Sequence, residues 1–145
     1  MALDTNLGFH FSHIEGDKTP TYRDYIVADA AFREGDVVNF ESGQLDLAVT
    51  SDTAIIGVVN ETKSSMTTGT TEIQIVVIND TDVVFSVYDP NARTAGATLD
   101  IAGATGAMTV AATSNKELVV IETSTATQPT LVRFNSNVLF YQVAQ

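Results

Sequence analysis

The chain predicts an all-β, single-domain fold, a sandwich or a small barrel, with at most one or two short helices and an extended N-terminal arm. Three observations point there. Its apolar residues come in short runs of Val, Ile, Thr, Phe and Tyr, the types that suit a half-buried pleated surface. Turn formers separate these runs at short intervals: Ser42-Gly43, Ser51-Asp52, Thr68-Gly69, Asn79-Asp80, Ser114-Asn115, Gln128-Pro129 and Asn135-Ser136-Asn137. A length of 145 residues, without an internal repeat or a spacer-like stretch, fits one domain. A chain of that size buries roughly 68–70% of its unfolded surface, enough for a core without staples.

Residues 1–22 hold few aliphatics and two turn-like stretches, Glu15-Gly16-Asp17 and Lys18-Thr19-Pro20. They are expected to form an arm, with residues 23–145 as the domain. Within the arm, Phe9, His10 and Phe11 fit a short strand with both rings on one face. Two such rings suit docking on another chain, and packing on the arm's own domain is the other reading. Strands are expected near Tyr25–Val27, Val37–Phe40, Gln44–Val49, Ile55–Asn60, Ile73–Ile78, Val83–Val87, Met108–Ala111, Leu118–Ile121, Leu131–Phe134 and Val138–Val143. One short helix is expected after Asp89-Pro90, where a capping carboxylate precedes a proline at the first helical position and Gly96 ends the run. The Ala-, Gly- and Thr-rich stretch Thr94–Thr109 reads as close-packed loop or weak strand.

Composition excludes several function classes. With no cysteine there is no disulfide, thiolate metal site or cysteine nucleophile. Eighteen acidic against seven basic residues give a net charge of −11, which disfavours nucleic acid and anionic membrane surfaces as partners. No apolar stretch has the length of a spanning helix, and the N-terminus lacks the pattern of a signal peptide, so synthesis in a cytoplasm is expected. Asn60-Glu61-Thr62 and Asn79-Asp80-Thr81 match the glycosylation pattern but read as turns.

Catalytic and metal-binding patterns are not found. His10 and His13 are the only histidines, and zinc wants three or four ligands. Asp89 to Asp100 superficially has the spacing of a calcium loop, but Thr94 stands where glycine is required and Asp100 where glutamate is. Both histidines lie on the arm, away from any serine or threonine nucleophile of the domain. Glu41-Ser42-Gly43 is a tight turn and not a nucleophile elbow. Pairs such as Asp80 and Asp82 arise by chance in so acidic a chain, and without tryptophan a common sugar-stacking platform is missing. No enzymatic activity, metal or cofactor is expected.

The most specific segment is Phe32–Val59. Ala30-Ala31-Phe32-Arg33-Glu34-Gly35-Asp36-Val37-Val38 reads as a turn on Gly35-Asp36 that re-enters as a buried strand, and Asp52-Thr53-Ala54-Ile55-Ile56-Gly57-Val58 as its partner. Gly35 permits the turn, Asp36 caps it, and Gly57 inside a strand marks a bulge or a close backbone approach. This pattern resembles the capsid decoration (cement) proteins of tailed bacteriophages. The likeness spans roughly Tyr25 to Phe140 and is specific only over Phe32–Val59. Farther on, Leu118–Ile121 and Leu131–Phe134 are similar to closing strands of that family in composition.

The resemblance implies a small β-barrel or β-tulip that binds the outer surface of the phage head and stabilises the expanded shell against packaged DNA. It implies a homotrimer at three-fold and quasi-three-fold sites, with the major capsid protein as partner. Phe9, His10, Phe11 and Ile14 would belong to a capsid-binding arm, added as a strand to a shell subunit. Phe32, Gly35, Asp36, Val37, Val38, Ile56, Gly57 and Val58 would be structural. A β-sandwich module of a tail or fibre, binding host glycans through scattered Asn, Asp and Tyr, is the other reading.

Overall fold

The computed structural model describes residues 7–16, 18–49, 52–89, 91–103, 108–112, 116–126 and 128–140. The chain is all-β. Its strands are β1 (Phe9–Ile14), β2 (Tyr22–Ile26), β3 (Val37–Glu41), β4 (Gln44–Leu47), β5 (Ile55–Val59), β6 (Glu72–Val77), β7 (Val83–Val87), β8 (Thr98–Ala102), β9 (Thr109–Ala112), β10 (Leu118–Val120) and β11 (Thr130–Phe134). They form two antiparallel sheets, one ordered β1-β7-β11-β10-β8-β9 and the other β2-β6-β5-β3-β4.

The two sheets share one core. Phe9, Val83, Phe85, Val87, Leu99, Ile101, Val132 and Phe134 from the six-stranded sheet meet Val37, Ile55, Val58 and Val76 from the five-stranded one. Phe85 and Phe134 pack edge-on at 6.0 Å, and Phe9 lies 5.8 Å from Phe134. The five-stranded sheet carries a second core on its other face, built from Val38, Leu45, Ile56, Val59, Ile73, Ile75 and Val77. Past β2 the chain turns along β4, where Val27 bridges Leu45 in parallel and the Ala28 amide donates to the Leu45 carbonyl. The sheet's two edges are thereby drawn together around the second core, and Val27, Phe32 and Met66 cover it.

Double-sided burial explains the sequence texture here. All five residues of β5, Ile55-Ile56-Gly57-Val58-Val59, are buried. An extra residue in β5 opposite Val38 and Asn39 breaks the period of two, so Ile55 and Val58 face one core while Ile56 and Val59 face the other. At the β3–β4 hairpin, Ser42 and Gly43 both have positive φ, as a two-residue turn of the primed type needs.

Three expectations are corrected. Residue 22 is not a domain boundary: Phe9–Ile14 pair along β7, Tyr22 begins β2, and only Met1–Asn6 of the expected arm, with Asp17, lie outside the described residues. No helix follows Asp89. Its carboxylate takes the Asn91 amide and the Arg93 guanidinium instead (Arg93 Nε to Oδ2, 2.6 Å), and Arg93 bridges Ser124. Such local bonds compete with helix nucleation. Finally, Ser136–Val138 is a single 3-10 turn and not the start of a strand, although Leu139 bridges Ile55 in parallel. The rest of that expected strand, Tyr141–Val143, lies outside the described residues, as does the expected turn at Ser114-Asn115.

Candidate functional site

The segment Phe32–Val59 folds as one unit, and every position singled out in it from the sequence as structural is buried. Gly35 adopts φ +99°. Asp36 is 1% exposed, and its Oδ2 accepts the Arg33 amide at 2.9 Å while its own amide donates to the Arg33 carbonyl. The Gly35 amide donates to the Val59 carbonyl and the Val59 amide to the Asp36 carbonyl, which fastens the turn to β5. Val37 then enters the inter-sheet core and Val38 the second core. Phe32 is fully buried in the second core, held by reciprocal backbone bonds with Lys63.

Gly57 marks a close approach. A Cβ there would run into the carbonyl oxygen of Val76 and lie 2.8 Å from Ile75 Cδ1. Val58 and Ile56 on either side face opposite cores.

Of the two readings of the arm, Phe9 and Phe11 follow the one in which it packs on its own domain. Phe9 is buried among core residues, and Phe11 is half-buried with its ring edge-on to Phe85 at 6.2 Å. β1 has a register shift between Phe11 and His13, which returns Ile14 to the core side. The two rings do share one face, and that face is the protein's own core. The physical reason is β7: it needs a partner along this edge, and the apolar face of β1 completes the core beneath it. His10 pairs opposite Ser86, and His13 sits at the surface, 3.6 Å from Glu15.

One residue with a clear role escaped the sequence reading. Gly8, at φ +104°, lies back to back with Gly35: a Cβ on Gly8 would come 3.1 Å from the Gly35 Cα, and one on Gly35 3.0 Å from the Gly8 Cα. The Phe9 amide donates to the Gly35 carbonyl and the Gly8 amide to the Met108 carbonyl. This junction roots the N-terminal strand in the Gly35-Asp36 corner. A glycine just before Phe9 was its only signal.

Elsewhere open clefts lie between the described residues, one of them lined by Asp29, Glu41, Asp46 and Asp52. Among the described residues no three His, Asp or Glu side chains converge as a cage for a metal ion. No helix among them is long and apolar enough to cross a membrane. Neither the known protein families nor the curated proteins include a match to this chain.

Proposed function

We propose that this chain is a virion structural protein, a capsid decoration protein that binds the exterior of a tailed-phage head as trimers at three-fold and quasi-three-fold sites. Its partner is the major capsid protein, and its role is to hold the expanded shell against internal pressure. The observation that carries the reading is the junction at Gly35. The corner that most resembles the decoration family is also where the N-terminal strand is rooted, through the contact with Gly8. A shell-binding segment ahead of Leu7 would therefore leave the domain from a rigid base, which limits the entropy lost on docking. Three such segments in a trimer would multiply weak contacts through effective concentration. The net charge of −11 suits an outer coat that avoids DNA.

The test is to mix the protein with expanded and unexpanded heads lacking it, then sediment and image them. Density at the three-fold positions of expanded heads is expected. A variant lacking residues 1–6 keeps Phe9 and all of β1, so it should fold and decorate less. Failure to bind expanded heads, combined with glycan binding by the free protein, overturns the reading in favour of a tail or fibre module.

A further inference from the structure

At the end of the inter-sheet core, the face of the five-stranded sheet changes from apolar to acidic. Along β3 this face runs Val37, Asn39, Glu41, and in register Asn39 stands opposite Asp46 of β4. Asp29 approaches from the strand-like segment beside β4, where its Oδ2 accepts the Leu47 amide at 3.2 Å. Asp52, at the corner before β5, accepts the Val49 amide at 2.8 Å. Asp29, Asn39, Glu41, Asp46 and Asp52 line one open cleft of about 510 Å³. By the roughly 30 Å³ a liquid water occupies, that is room for an ion together with several waters.

Carboxylates crowded on an acidic protein are not by themselves a site. The second observation is Asn39. It is only 4% exposed, and its Nδ2 donates to Asp52 Oδ2 at 3.2 Å. That bond fixes the amide's orientation, because the flipped amide would set an oxygen against a carboxylate. The other end, Oδ1, is a buried acceptor without a hydrogen-bond partner, the only such side-chain atom among the described residues. A buried carbonyl left unmatched costs about 1–3 kcal/mol. Asn39 lines the same cleft as the Asp29 and Asp46 carboxylates and stands opposite Asp46 in register. A cation there would give the Asn39 Oδ1 a partner and offset the repulsion between the two carboxylates.

We propose that this cleft is a binding site for a hard divalent cation of the Ca²⁺ class, held by the Asp29 and Asp46 carboxylates and the Asn39 carbonyl oxygen, with Glu41 and Asp52 at its rim. All the donors are oxygens, and water fills the remaining positions. Ca²⁺ takes irregular sets of six to eight such ligands, whereas Mg²⁺ demands a near-octahedral one. Only two carboxylates bind directly, which agrees with the lack of a three-carboxylate cage and implies weak affinity, with a dissociation constant on the order of 10⁻⁴–10⁻³ M. The site is independent of the capsid reading, because its test uses the purified chain alone.

Chelator-treated full-length protein is titrated with CaCl₂ by calorimetry and melted with and without the ion. Saturable binding and a rise in Tm are expected, larger than those from MgCl₂ or from NaCl at matched ionic strength. Asp46→Asn and Asp29→Asn keep the side-chain shape, and the carboxamide oxygen introduced at position 29 can still accept the Leu47 amide. Each should weaken Ca²⁺ binding at least about ten-fold, the effect of losing about 1.4 kcal/mol. Asn39→Ala should do the same, while the exposed Glu122→Gln should not. No saturable heat at about ten times the weakest expected dissociation constant, an equal Tm rise from matched NaCl, or unchanged binding in folded Asp46→Asn would each overturn the site.

Discussion

The five-stranded sheet has two buried faces, and they are buried in different ways. One faces a second sheet, so side chains from two rigid layers interlock and the aromatic trio Phe9, Phe85 and Phe134 fills the gap. The other face is curled on itself, and its cover comes from connections: Val27, Phe32, the loop carrying Met66, and half-buried Phe140. The ends of the faces differ as well. Toward the six-stranded sheet, β3 passes from Val37 to Asn39 and Glu41, whereas the curled face keeps Phe40, stacked edge-on between Tyr25 at 5.2 Å and Phe140 at 5.3 Å. One sheet thus carries a rigid core ending in charge and a looser core ending in aromatics.

The residue that belongs to neither core tests the comparison hardest. Gly57 lies where β5 and β6 approach too closely for a side chain, so Gly57→Ala should force the strands apart and disturb both cores at once. The expected loss exceeds about 4 kcal/mol, a large part of the 5–15 kcal/mol that holds an ordinary domain together. Urea unfolding read by circular dichroism checks it. A soluble variant with an unchanged midpoint would mean that the strands separate at little cost.

The next pair of substitutions separates the faces. Phe85→Ala and Phe32→Ala each remove a fully buried ring, one from between the sheets and one from beneath the loops. Both should cost about 3–5 kcal/mol, with Phe85→Ala at the upper end. A cavity between two hydrogen-bonded sheets cannot collapse, while the connection carrying Phe32 can settle inward. Equal losses would show that the curled face is as rigid as the other.

The contrast between the faces also explains what the sequence made legible. Val83–Val87 is predicted and observed with the same ends, and β3, β4, β5 and β6 fall within a residue or two of their expected limits. Those strands lie against cores, so their apolar runs carry the signal. Thr98–Ala102 reads as loop or weak strand because the stretch around it is rich in Ala, Gly and Thr. Its inward Leu99 and Ile101 nevertheless complete the inter-sheet core. The helix expected after Asp89 does not form because the Arg93 guanidinium takes the carboxylate that would cap it. The turn function of Gly35 and Asp36 was legible from local pattern alone, whereas the contact with Gly8 joins positions far apart in the chain. The acidic cleft was invisible for the same reason: Asp29, Asn39, Asp46 and Asp52 belong to no shared spacing, and only the hairpin register and the turn of residues 27–29 along β4 bring them together.

The smallest expected effect concerns the charged end of the rigid face. Burial, the hydrogen bond with Asp29 and the repulsion of Asp29 and Glu41 hold the Asp46 carboxyl above the usual aspartate range, against an opposing contribution from the Leu47 amide. A carboxyl raised on folding binds its proton more tightly in the native state than in the unfolded chain. Its contribution is therefore most favourable below the unfolded value and is lost as pH rises through the folded one. Asp46→Asn cannot titrate, so in the absence of divalent ions it should gain on the parent protein across that window and hold the advantage above it. Asp46 is half-buried and still meets solvent, which keeps the gain small. Urea midpoints measured from about pH 4 to about pH 7 read the difference directly. A constant offset between the two proteins at every pH would mean that the Asp46 carboxyl is not raised on folding, and that the polar end of this face is no more strained than the aromatic end of the other.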